Sequence, residues 1–330
     1  MAIQRIIASL ILMVLLVVLP VAVPGSTYAG EYPTKQVTII VPFPPGGATD
    51  VQARLIANGL TERLGKNVVV DNQPGASGRI AAVTVRRAEA DGHTLLLCST
   101  GTLVVEPVLR PDIEHDPQRD FTPLTTTAEM PWVLVVPSAS PYKTVADLVS
   151  AARKEPGKLA YSSVGAGTFN HLVSESFKVA ANVDILHIPY KGEGPALIDL
   201  LGDRITTMFM TPLAALPNIR SGKLRALAVS GSKRSSALPQ VPTLAEEGIP
   251  MADLNLWFGV VVSSKTPPDI TARLHREIVA VVESPEFVHA VEAQGAHAAP
   301  RSQKAFGDLI AAYSAAVARM AKEIKFLVQE

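Results

Sequence analysis

The chain has 330 residues, 48% of them hydrophobic and 18% charged, with 30 basic and 30 acidic side chains. Formal neutrality without a basic stripe, and aromatics too few and too irregular to stack bases, exclude a nucleic-acid partner. The single cysteine, Cys98, excludes an internal disulfide, and the length suffices for two domains that each bury a core.

The N-terminus reads as an export signal: Arg5, an apolar run from Ile6 to Leu19, and a small-residue cleavage site at Thr27-Tyr28-Ala29. Residues 1–29 are therefore expected to be a cleaved leader and the mature chain periplasmic. A retained anchor is the rival reading, but Pro20 and Pro24 interrupt the apolar stretch. Loss of Arg5 leaves a mature charge of about −1.

Next, Lys35 to Val41 reads as a strand, followed by a Pro/Gly turn and a helix whose apolar face carries Val51, Leu55, Leu60 and Leu64 and which ends at Gly65. Strands at Val68-Val69-Val70 and Thr94 to Leu97 flank a helix from about Ser77 to Ala88. A change of unit is expected near Thr125-Thr126-Thr127, before a strand from Trp132 to Val136. Thr144 and Asp147 have the spacing of a capping box, opening a helix that stops at Pro156-Gly157. Further strands are expected at Lys158 to Tyr161, Ile185 to Ile188, Ile205 to Met208, Arg225 to Val229 and Trp257 to Val262. Two amphipathic helices follow, roughly Asp269 to Glu283 and Ser302 to Lys325. Strands alternating with helices make this an α/β protein with largely parallel sheets.

Ligands of open α/β sheets bind beyond the carboxyl ends of strands. The segment Phe43-Pro44-Pro45-Gly46-Gly47-Ala48 lies at such an end, before a helix whose unpaired N–H groups and dipole suit a carboxylate. An ordinary tight turn is the alternative. Tyr161 to His171 repeats the arrangement, with Ser163, Gly165, Gly167 and Thr168 before a second helix. Ser163 and Thr168 can each bond an anion, and Thr168 can equally be a simple helix cap. Two glycine-softened helix starts suggest a clamp. Ser99 and Thr100 follow a buried strand and offer hydroxyls to the same cleft, or form a plain strand exit. Lys191, beside Tyr190 and Gly192, faces either the cleft or solvent.

Catalytic templates fail. Gly75 to Arg79 lacks the last glycine of a nucleophile elbow, no phosphate loop ends in Gly-Lys-Ser/Thr, and Asn170 stands where a dinucleotide fingerprint needs glycine. The histidines at 93, 115, 171, 187, 275, 289 and 297 are isolated along the chain, without metal-site spacing. No catalytic residue, cofactor or metal is expected.

The segments named so far, together with Tyr32-Pro33, Asp50, Ala53, Arg54, Asn72 to Gly78, Asp91 to Leu95, Pro189 to Gly192, Gly222 to Ala228, Val241-Pro242-Thr243 and Trp257-Phe258-Gly259, resemble the Bug solute receptors. These are the extracytoplasmic binding proteins of the tripartite tricarboxylate transporter family, and the likeness covers essentially the whole mature chain. It implies a type II periplasmic binding protein with residues 30–127 and 255–330 in one lobe and 128–254 in the other, joined by two crossing segments. It also implies a monomer that takes a small organic acid and partners the membrane permease subunits of a tripartite transporter; a sensor subunit that reports the ligand to a membrane kinase, with the same clamp, is the alternative. The loops Phe43 to Ala48 and Ser163 to Thr168 are then opposing pincers on a carboxylate, acting through backbone amides and ordered water. One region departs from the family: the strand Ile205 to Thr211 carries no acid. That absence argues for a non-amino carboxylate whose apolar body lies against Met210 and Phe43.

Overall fold

The computed structural model describes residues 32–323, except 111, 112, 114, 115 and 250–253. The expected leader, its cleavage site and His115 lie outside the described residues. β-Branched, mostly aliphatic residues form β1 (Val37–Val41), which leads through the Pro/Gly turn into α1 (Ala48–Leu64). Gly65 ends this helix in the left-handed conformation at φ 66°, as its position predicts. β2 (Val68–Asn72), α2 (Arg79–Arg87) and β3 (Thr94–Ser99) complete the first parallel unit. α2 starts later than its periodicity suggests, because Ala76 and Ser77 hold left-handed φ values of 45° and 53°.

The chain then makes α3 (Glu106–Leu109), α4 (Pro117–Asp120) and the ten-residue β4 (Phe121–Met130). It crosses at Pro131 and Trp132 into β5 (Val133–Pro137). Thr125, Thr126 and Thr127 are fully buried within β4 against a neighbouring strand, so the first crossing falls after them. Next come α5 (Val145–Lys154), β6 (Ala160–Ser163), α6 (Phe169–Ala181), β7 (Leu186–Pro189), α7 (Glu193–Leu201), β8 (Thr207–Met210), α8 (Pro212–Arg220) and β9 (Leu224–Val229). The second crossing leads to β10 (Leu256–Ser263), α9 (Pro268–Val282), α10 (Pro285–Ala293), β11 (His297–Ala298) and α11 (Gln303–Glu323). Sequence reasoning missed α8 and α10, yet both begin with proline in the first turn, directly after Thr211 and Ser284.

Strands before and after the two crossings form a six-stranded sheet, β11-β4-β10-β3-β1-β2, and those between them a five-stranded sheet, β7-β6-β8-β5-β9. Both sheets are mixed rather than largely parallel. β1, β2 and β3 run parallel, as do β6, β7 and β8, whereas β10 is antiparallel to β3 and β4, and β5 is antiparallel to β8 and β9. Helical crossovers impose parallel pairing on the first set; strands that arrive directly from the other sheet escape that constraint. β3 lies between β1 and β10, and Leu95, Leu96, Leu97 and Cys98 on it are fully buried, which explains an apolar run without alternation.

One hydrophobic cluster continues from the first sheet into the second through Trp132, Phe169 and Trp257. Trp132 meets the edge of Phe169 at 5.7 Å, and Trp257 packs edge-on against Phe306 and Tyr313 of α11. α11 therefore returns to the first sheet, and Met320 near its end also contacts Ser176 of α6. At the first crossing, the Trp132 N–H donates to Ser230 Oγ, just past β9, and the Ser230 N–H to the Trp132 carbonyl, both at 2.9 Å.

Candidate functional site

Parallel strands end on the same side of their sheet, so β1, β2 and β3 deliver three loops to one rim of the first sheet. Asp50, in the first turn of α1 and 3% exposed, organises it. Its carboxylate accepts from the Gly46 N–H at 3.0 Å, Arg54 Nε at 2.9 Å and Asn72 Nδ2 at 3.0 Å. Asn72 Nδ2 also donates to the Phe43 carbonyl, which ties the end of β2 to the Pro/Gly loop. Burial pushes the Asp50 carboxyl up, but these three donors and the Arg54 charge leave it below the ordinary aspartate value. Phe43 is half-buried, and Pro44, Pro45 and Gly46 are exposed. Gly46 has φ +88°, which only glycine adopts readily, whereas Gly47 caps the helix at φ −81°. The amides of Ala48 and Thr49 start α1 without an acceptor inside the helix.

β6, β7 and β8 deliver a second rim. Here Ser163 and Thr168 shape the loop between them. Thr168 Oγ1 donates to the Gly165 carbonyl at 2.7 Å and accepts from the His171 N–H at 3.4 Å. Both partners are internal, which favours the capping role. Ser163 is fully buried, and its Oγ contacts both the Gly165 backbone and His187 Nε2, the latter at 2.6 Å. Gly165 and Gly167 take φ +136° and +77°. Asn170 accepts from the Val164 N–H at 3.1 Å and donates to the Phe209 carbonyl, locking the loop to β8. At the start of α6 the Phe169 and Asn170 amides lack intrahelical acceptors.

His171 and His187, far apart in the chain, stack with centroids 3.8 Å apart and planes 17° apart. Tyr161 lies nearly parallel to His187 at 4.9 Å, with its centroid 6.3 Å from that of His171. The Gly167 N–H donates to His171 Nδ1 at 3.1 Å, so the proton of the neutral ring sits on Nε2. Burial, then His187 and Lys178, push His171 down to about 3; burial also lowers His187. Tyr161 donates to Glu175, which holds Lys178 at 3.0 Å.

The remaining expected residues separate. Ser99 and Thr100 are buried at the end of β3, Ser99 against Thr102 and Thr100 bonded to the Trp257 N–H at 2.9 Å, so the Thr100 hydroxyl joins β3 to β10. Lys191 is exposed. Met210 is fully buried and packs in the second sheet's own core with Val133, Met208 and Leu216. The strand Ile205 to Thr211 lacks acids, but an acid reaches it in space. Glu193, in the first turn of α7, accepts from the Thr211 N–H at 2.8 Å and from Thr211 Oγ1 at 2.9 Å. Burial holds its carboxyl above the usual glutamate value against the pull of both bonds.

Residues 52–326 match the model of the tripartite tricarboxylate transporter family receptor, TctC. The chain belongs to this family. Protein BugT of Bordetella pertussis is 40% identical to this receptor over 277 residues, 84% of each chain. The R. palustris protein Rpa4515, solved with adipate, superposes with a TM-score of 0.80 at 35% identity, covering 90% of this chain and 99% of the other. MatC (Rpa3494) from Rhodopseudomonas palustris, solved with bound malate, gives 0.75 at 29% identity, over 88% and 99%. The fold is thus the two-lobed periplasmic binding protein type expected. Among the described residues no group of three His, Cys, Asp or Glu is placed to hold a metal, and no helix is long and apolar enough to cross a membrane.

Proposed function

We propose that this receptor captures a small organic acid between its two rims and delivers it to the membrane permease subunits of a tripartite transporter. It acts as a monomer in the periplasm after loss of residues 1–29, with residues 30–130 and 255–330 as one lobe and 131–254 as the other; the expected boundary at 127 moves to the end of β4, which stays paired in the first sheet as far as Met130. The observation that carries the reading is the pair of helix starts, at Ala48 and Phe169, each placed beyond the carboxyl ends of parallel strands with amides that no intrahelical carbonyl uses. Of the loop residues expected to bind, Gly46 and Gly167 already donate to Asp50 and His171. The ligand carboxylate therefore falls to Gly47, Ala48 and Thr49 on one side and to Ala166, Phe169 and Asn170 on the other, with ordered water completing the shell. Adipate and malate, bound in the two structural relatives, support a short acid with at least one carboxylate as the ligand.

A hydrolase reading gains one observation, the contact of Ser163 with His187. It fails on access: the serine is fully buried and its hydroxyl is enclosed by the backbone of its own loop. The test is native mass spectrometry of the purified protein for a co-purified acid, followed by calorimetry with adipate and malate. Binding of neither acid, or a bound acid anchored away from both helix starts, would overturn the proposal.

A further inference from the structure

Glu193 and Thr211 belong to different strand–helix units, one after β7 and the other after β8, and β6 lies between those strands. Neighbouring strands stand about 4.8 Å apart, so a bond from Glu193 to Thr211 spans the width of β6 at the carboxyl end of the sheet. Ser162 pairs with Met208, and Gly165 and Thr211 follow the ends of their strands, Ser163 and Met210, by two residues and one. The pincer loop reaches the same place: a side-chain carbon built on Gly165 would lie 3.5 Å from Thr168 and 3.7 Å from the Tyr190 carbonyl. The Glu193 carboxyl therefore crosses the mouth of β6, beside the loop that takes the ligand. Among the described bonds, Thr211 supplies one donor to each of its oxygens, and each oxygen has a second lone pair.

We propose that Glu193 sets which acids the second rim accepts, by taking a hydrogen bond from a hydroxyl or amino group carried next to the ligand's carboxylate. This rests on the carboxylate reading of the loops. A plain diacid brings no donor to this carboxylate; a hydroxy or amino acid satisfies it. Such a polar group inside a site discriminates strongly against an analogue that leaves it unpaired.

The experiment is calorimetric titration of the full mature chain with malate, aspartate and succinate, four-carbon diacids that differ only at one carbon, with Glu193→Gln, Thr211→Val and Gly47→Asp beside the wild type. The wild type is expected to prefer malate or aspartate to succinate by about tenfold or more. Glu193→Gln, whose amide donates to a plain carboxylate, should reduce the preference to about threefold or less. Thr211→Val should shift it the same way, with melting curves showing that both variants fold. An unchanged preference in Glu193→Gln, or no preference in the wild type, overturns the assignment of Glu193 and leaves the carboxylate reading standing. Wild-type affinity in Gly47→Asp overturns that reading of the loop instead, and failure of all three acids to bind the wild type overturns both.

Discussion

The imidazole of His171 lies flat on that of His187, 3.8 Å away, while its Nδ1 accepts the Gly167 N–H and so holds one amide of the second pincer. Protonation turns that acceptor into a donor aimed at another donor. The folded value of about 3 lies well below that of an exposed histidine, so between those values the unfolded chain binds the proton and the folded chain does not. This contribution is therefore complete above about pH 6.5 and declines as pH falls toward 3, by less than the ideal of about 1.4 kcal/mol per pH unit because solvent screens a ring that is only partly buried. His187, also lowered, acts in the same direction, in a setting that includes Tyr161, Glu175 and Lys178. Urea unfolding as a function of pH measures the slope. His171→Asn, which can keep an acceptor near the Nδ1 position without titrating, should flatten it, and an unaltered slope would exclude His171 as its source.

Asp50 is the corresponding anchor in the first lobe. Asp50→Ala strands the Gly46 amide, Asn72 and Arg54 together and should cost about 2 kcal/mol in chemical denaturation, the scale of a charge-assisted hydrogen bond. Because its carboxyl is lowered, this contribution is present above the ordinary aspartate range and lost as pH falls below it. The variant should also weaken acid binding, since the loop from Phe43 to Gly47 loses the group that shapes it. Calorimetry showing full affinity would separate the loop's shape from its function.

The two glycines of that loop should respond in opposite ways. Gly47 has an ordinary φ, and an added side-chain carbon meets only the Pro44 carbonyl, at 3.9 Å, so Gly47→Asp should fold normally and lose carboxylate binding to repulsion. Gly46→Ala also has open space, but φ +88° imposes strain of about 1 kcal/mol, visible in the melting temperature. A destabilised Gly47→Asp beside an unaffected Gly46→Ala would contradict the loop geometry.

Thr168→Ala removes a cap and the bond to the Gly165 carbonyl. Stability should fall by about 1 kcal/mol in urea unfolding. Thr168→Ser keeps the hydroxyl and should recover most of that loss; a serine variant as weak as the alanine one would place the methyl group, not the cap, at the origin.

What could be read along the chain was local. The capping box of Thr144 and Asp147, the stop at Gly65 and the helix start after Gly47 depend on residues within one turn of each other, and each is present. The histidine pair was not legible, because His171 belongs to α6 and His187 to β7, and only the packing of that helix on that sheet stacks the rings. Glu193 was missed for the same reason: the acid beside Thr211 comes from another strand–helix unit. The surroundings of Met210 were not legible either, because every residue of β8 is buried and alternation along the strand carries no sign of which face meets a ligand. Sheet direction was overestimated where strands arrive from the opposite sheet without a helical crossover.

The reciprocal bonds between Trp132 and Ser230 carry the β5–β9 ladder one step beyond Val133 and Val229, into the first passage between the sheets. The chain therefore enters the second sheet already yoked, at a fixed register, to the residue that follows β9. The indole of Trp132 leans on Phe169 where α6 begins, so the same point of entry braces the helix that carries the amides of the second rim.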